Sequence, residues 1–258
     1  GNVNSDVDTH GSVRLGTYLT TKVGKLTTTV NYNYMNQSRK QTENYREEIY
    51  NYIKTGEQKR EYGTNSTAAT IHFGNISASY EIDSLNLLTA STTFLGYKAD
   101  ANAQSTNERW DKNSQLIYKF DNNMTTPGYS HLNIGGRLDY QHKTHLDGEI
   151  LTLSYMLAAT RQHSIFRQMY NNMVNFPVNY TSYDQNTRER FTEHTFQIDY
   201  VRPFGKHHKI ESGTKYILRY NNSTSLMDYQ GTTPDMESKF KHNAQVAAAY
   251  LSYIFTAG

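Results

Sequence analysis

The 258-residue sequence predicts an all-β fold. The expected architecture is an antiparallel up-and-down meander of about nine long strands, part of a membrane-type β-barrel or closing into one. Three observations predict it. Apolar and polar residues alternate with a period of two in segment after segment. The composition suits half-buried strands, with 22 Tyr and 10 Phe against 4 Pro. Tight and long connections alternate strictly along the chain.

The segments follow in chain order. Val13, Leu15, Thr17 and Leu19 oppose Arg14, Gly16, Tyr18 and Thr20. Leu26, Thr28, Val30, Tyr32 and Tyr34 oppose Thr27, Thr29, Asn31, Asn33 and Met35. Ile76, Ala78, Tyr80 and Ile82 oppose Ser77, Ser79 and Glu81, and 85–97 is rich in strand formers. Leu132, Ile134, Gly136, Leu138 and Tyr140 oppose Asn133, Gly135, Arg137, Asp139 and Gln141. Leu151, Leu153, Tyr155, Leu157 and Ala159 oppose Thr152, Ser154, Met156, Ala158 and Thr160. Phe196, Ile198 and Tyr200 oppose Thr195, Gln197 and Asp199. Tyr216, Leu218 and Tyr220 oppose Lys215, Ile217 and Arg219, and 245–255 closes the series. Each strand should run roughly 10–15 residues, beyond the usual length in soluble sheets.

Tight turns are expected at Val23-Gly24-Lys25, Asp83-Ser84, Leu146-Asp147-Gly148 and Phe204-Gly205-Lys206. Asp-Gly is a strong hairpin signal because such turns need positive φ. The tail Phe255-Thr256-Ala257-Gly258 should begin another. Long polar loops are expected over 37–67, 98–129, 161–191 and 221–241. Eleven charged residues, from Arg39 to Glu61, crowd the first. Short turns at one end of a meander and long loops at the other is the pattern of a bacterial outer-membrane barrel. Its strands cross the apolar band in about 9–11 residues.

Composition excludes other classes. With no Cys there is no disulfide framework and no cysteine-ligated metal. Lys plus Arg is 26 and Asp plus Glu 24, so the net charge of +2 leaves no electrostatic footprint for nucleic acid. No apolar run approaches the ~20 residues of a spanning helix. The opening Gly1-Asn2-Val3-Asn4-Ser5 lacks the basic start and apolar stretch of a signal peptide. At 36% hydrophobic residues the chain is poor in the material of a large closed core.

Over most of its length the pattern resembles the TonB-dependent receptor-like outer-membrane β-barrel proteins of Bacteroidetes. The resembling stretches are Gly11-Ser12-Val13 leading into 26–34, then 133–142 with Gly-Gly-Arg-Leu-Asp-Tyr-Gln-His, the Asp147-Gly148 turn with 151–155, and 196–220. The resemblance implies transport, namely uptake of a large or scarce ligand, energised by a TonB-type partner through an N-terminal plug. It implies outer-membrane lipid as a second partner and the cell outer membrane as location. No plug or TonB-box segment is recognisable. Bacterial barrels have even strand numbers, and the chain stops at Gly258 inside an expected turn. Residues 1–258 are therefore expected to be one β-barrel domain, a fragment lacking plug and C-terminal strands. The rival reading is a water-soluble extracellular β-sandwich, an adhesin or glycan binder.

No catalytic, cofactor or metal site is expected. Asp6-Val7-Asp8-Thr9-His10-Gly11 lacks the distal bidentate Glu of a calcium loop. His207 and His208, adjacent on a strand, would face opposite sides. Glu193 and Asp199 share a face that His194 does not, and Ser154, Tyr155 and Asp139 have no nucleophile-elbow context. The triplets Asn65-Ser66-Thr67 and Asn222-Ser223-Thr224 follow from composition. Interface aromatics are expected among Tyr32, Tyr34, Tyr118, Phe120, Tyr140, Tyr155, Tyr200, Tyr216, Tyr220, Tyr250 and Tyr253. Tyr45, Tyr50, Tyr52, Trp110, Tyr170 and Tyr183 are candidates for stacking on a ligand of unknown identity.

Overall fold

The computed structural model describes residues 1–205 and 207–256. It is one antiparallel sheet with a single helical turn. The strands are β1 (Asn2–Val7), β2 (Val13–Val23), β3 (Leu26–Gln37), β4 (Asn44–Tyr52), β5 (Glu57–Glu81), β6 (Asn86–Trp110), β7 (Leu116–Lys143), β8 (Ile150–Val174), β9 (Tyr180–Phe204), β10 (His208–Gly231) and β11 (Met236–Phe255). The helix α1 covers Arg39–Thr42. Every strand pairs with its sequence neighbour except at one place. There β3 and β4 stack end to end along β5, with Gln37 opposite Ala69 and Asn44 opposite Asn65. The helical turn fills the gap between them, and Thr42 bonds both ways to the backbone of Thr67 (2.6 and 2.8 Å).

The meander stands, with two corrections. Among the described residues there are eleven strands rather than about nine, because β1 and β4 carry no apolar alternation to betray them. The expected long polar loops are mostly continued strand. β5 to β10 run 24–28 residues each. What remains of those loops as connection is 38–43 with its helical turn, 53–56, 111–115, 175–179 and 232–235. Bends are therefore short at both rims, and the rims differ in the polarity of the ladder that reaches them. A ladder in water needs no apolar face when cross-strand pairs hold it. Charged pairs do so here: Glu57 with Arg109, Lys119 with Glu108 at 2.8 Å, and Arg60 with Glu47 at 2.8 Å.

The near-end turns follow local chemistry. Gly24 takes φ +58° between the paired Val23 and Leu26, where a two-residue hairpin needs a positive φ. Asp83 accepts Leu85 N–H at 2.8 Å, an Asx turn. The Asp147-Gly148 turn is wider than a two-residue hairpin, since β7 stops at Lys143 and only Gly148 (φ +80°) is left-handed. In the Phe204-Gly205-Lys206 turn, Lys206 lies outside the described residues, as do Ala257 and Gly258 of the expected tail turn.

The near ends climb steadily across the sheet. On the register line Leu26–Tyr80–Leu88–Tyr140–Leu153–Ile198–Thr214, β3 starts at the line itself. By contrast β7 runs three residues past Tyr140, and β9 six past Ile198. A stagger of about one residue per strand, at about 3.3 Å rise and 4.8 Å spacing, is a tilt of about 35°, which is barrel geometry. The sheet does not close among the described residues; β1 and β11 are its free edges.

Candidate functional site: a two-faced wall

Register assigns every side chain in the sheet to one of two faces. The outward face of β5 to β9 carries Ile76, Ala78 and Tyr80, then Leu88, Ala90 and Phe94, then Leu132 to Tyr140, Leu151 to Ala159, and Phe196 to Tyr200 at alternate positions. Within about ten residues of the near rim, a span that crosses a membrane, this face holds no Asp, Glu or Lys and one Arg, Arg202 at its base. Tyr80, Tyr140, Tyr200 and Tyr253 ring that base on the same face. Among the described residues only Ala69 and Ala99 are buried apolar side chains, and no side chain is fully buried. Leu138, Phe196 and Ile198 stand 45, 47 and 49% exposed. No second layer packs on them, which removes the dry core that the sandwich reading requires.

The other face is polar at the same height. Asp139 is its hub, accepting hydrogen bonds from Ser154 Oγ at 2.5 Å and Arg137 Nε at 2.7 Å. Asp199 accepts from Gln197 (2.8 Å) and Tyr250 (2.9 Å), and Glu193 accepts from Arg219 (2.7 Å). Ser154 and Thr195 are buried on this face. The arrangement presents hydroxyls and hydrogen-bonded carboxylates to water.

The far half of the sheet stands clear of the band. On its inner side the rings of Phe120, Tyr170, Phe176, Tyr180, Tyr183 and Tyr229 form a chain of contacts at 4.7–6.0 Å. Burial pushes the Tyr170 hydroxyl up to about 12, and raises that of Tyr183. Nearby, Arg109 lies 4.8 Å over Tyr52 and Lys59 lies 5.6 Å over Tyr50.

The stacking candidates divide accordingly. Tyr50, Tyr52, Tyr170 and Tyr183 face inward, whereas Tyr45 and Trp110 fall on the outward face. Phe176, Tyr180 and Tyr229 were not singled out in the sequence; their spacing shows no period until β8, β9 and β10 are aligned. Among the interface aromatics, Tyr118, Phe120 and Tyr250 are corrections, since register turns them inward. The chemical motifs dissolve into structural roles. Asp8 accepts the backbone N–H of His10 (2.8 Å) and Ser12 (2.9 Å), and the Ser12 bond first of all lowers its pKa. His207 bonds Thr256 O at 2.9 Å, and His208 bonds Tyr253 at 2.5 Å. His194 faces outward to Tyr155 at 2.9 Å, away from Glu193 and Asp199. Among the described residues no three His, Cys, Asp or Glu side chains converge to hold a metal. Asn65 and Asn222 lie on strands β5 and β10.

A tilted antiparallel wall, apolar outside and polar inside, is the architecture of an outer-membrane barrel. The model of the Outer membrane protein beta-barrel family matches residues 142–258, just under half of the chain, from the base of β7 through β11. Comparison with curated proteins and with solved structures gave no match.

Proposed function

We propose that this chain is wall and rim of an outer-membrane β-barrel that takes up a large or scarce ligand, in the manner of TonB-dependent receptor-like transporters. One observation carries the membrane part: a single-layer sheet exposes on one face only an apolar band without Asp, Glu or Lys, and between the edge strands β1 and β11 every strand crossing the band is paired on both sides, as hydrocarbon demands. The family match over 142–258 supports the same reading. Uptake, rather than simple anchoring, is supported by the polar inner face and the aromatic rim above it. Catalysis has no support in either. A TonB-type energiser is the implied partner.

The test places tryptophan at chosen depths. In a Trp110→Phe background, Leu138→Trp should be quenched strongly by lipids brominated mid-chain, and Ala158→Trp, on the inner face, weakly. A monodisperse protein in water that ignores such lipids would refute the reading. In the native host, the full gene product should photo-crosslink to the TonB-type protein. A passive pore would give no crosslink and would conduct constitutively in planar bilayers.

A further inference from the structure

We infer that the outward face carries a phosphate-binding belt immediately above its apolar band, and that phosphorylated lipid of the outer leaflet occupies it. The inference rests on the lipid-facing assignment of that face. Lys98, Arg188 and Lys239 fall on one register line of this face; Arg161, Arg190 and Lys241 fall on the next. Neither line holds an Asp or Glu on this face. Their height is uniform enough to form a band of charge. Lys98 stands twelve residues above the start of β6, Arg161 eleven above that of β8, and Arg190 fourteen above the end of β9. A membrane crossing takes about 9–11 residues, so the cations begin where hydrocarbon ends.

Of the belt cations Lys239, toward β11's far end, reaches Glu237 at 2.7 Å, and on the same face above the belt Arg167 reaches Asp184 at 3.2 Å. Among the described residues Lys98, Arg161, Arg188 and Arg190 have no carboxylate within ion-pair distance, and all four are exposed. Between them lies a groove of about 760 Å³, floored by Gly96 and Leu132. Gly96 supplies the hollow, since nothing stands where its side chain would be nearer than 3.8 Å. Three guanidiniums suit phosphate because each can present paired donors to two oxygens. Free phosphate would engage one or two of them. An array spread over β6 to β11, continuous with an apolar floor, instead fits headgroups whose acyl chains lie against the band below.

The experiment measures binding of bis-phosphorylated lipid A, doped into maltoside micelles, against the same lipid dephosphorylated. Folding of each variant is checked by heat-modifiable gel migration. Arg161→Gln with Arg190→Gln should weaken binding of the phosphorylated lipid at least ten-fold. The equal charge change on the inner face, Lys22→Gln with Lys215→Gln, should alter it less than two-fold. Dephosphorylated lipid should bind the unaltered protein at least ten-fold more weakly. Lys98→Gln alone serves if the double variant fails to fold, with a smaller loss expected in the same direction. Unchanged binding in the outward variants, equal losses from both faces, or indifference to the phosphates would overturn the inference. If Leu138→Trp is still quenched by brominated lipid, that failure is of the belt alone; if it is not, the membrane reading itself fails.

Discussion

An arginine placed on the outward face at mid-band should destabilise this sheet by an amount that depends on depth. Leu138 lies five residues before the end of β7 at Lys143. At about 3.4 Å per residue and a tilt of about 35°, it sits about 14 Å up a band about 25 Å tall, near the midplane. Its neighbours on the same face are Ala90 and Tyr155, neither able to pair a charge. Arg on a lipid face costs about 2–4 kcal/mol at the midplane and about 0–1 kcal/mol near the interface. Leu138→Arg should therefore cost about 2–4 kcal/mol. Leu88→Arg, two residues into β6, should cost about 0–1 kcal/mol by the same depth rule. Ala158→Arg points to the inner face beside Glu193 and should be close to neutral. The assay is equilibrium unfolding in guanidinium from phosphatidylcholine vesicles, followed by far-ultraviolet circular dichroism. Three variants within about 0.5 kcal/mol of one another, or Ala158→Arg as the costliest, would refute the face assignment.

Two further outcomes are expected. Ser154→Ala removes a short bond to the Asp139 carboxylate from a buried hydroxyl position, and should cost roughly 1–2 kcal/mol in the same unfolding assay. Combined with Arg137→Ala the losses should not add, because both donors serve one carboxylate. The second concerns pH at the near-rim turn. Glu149 accepts hydrogen bonds from Thr144 and Tyr200, with Arg202 at 3.7 Å, and these hold its carboxyl below the usual carboxylate value. A depressed folded pKa gives stability that is full above the unfolded value and is lost as pH falls through the folded one. Thr144→Ala with Tyr200→Phe should move the Glu149 titration, read by carbon-detected NMR, back up toward the ordinary value and shift the acid loss of the turn to higher pH.

Much of the wall was legible because a lipid-facing strand obeys a simple rule. One side chain in two must be apolar for about ten residues, so Leu132 to Tyr140 and Leu151 to Ala159 declare themselves without any partner in view. The tight turns were legible for the same local reason: Gly24 and Asp83 carry their own turn chemistry. β4 and the far halves of β5 to β10 were not. Their residues, such as the run from Glu57 to Glu61, are charged or polar on both sides and read as loop. What makes them strand is the ladder itself, where Lys59 meets Arg109 fifty residues along the chain and Glu61 meets Asn107 forty-six along.

The candidate sites divide along the same line. That Glu193 and His194 could not act together was readable from parity alone. The aromatic rim and the cationic belt were not readable, because each gathers one or two residues from each of four strands. Lys98, Arg161 and Arg190 share no spacing in the chain and become neighbours only through register. Period-two alternation is a property of one strand, and by itself it determined the all-β class, the meander and the two faces. Which residues stand side by side across the sheet and how far the ladder outruns the band were decided by hydrogen bonding between strands, which no single segment encodes.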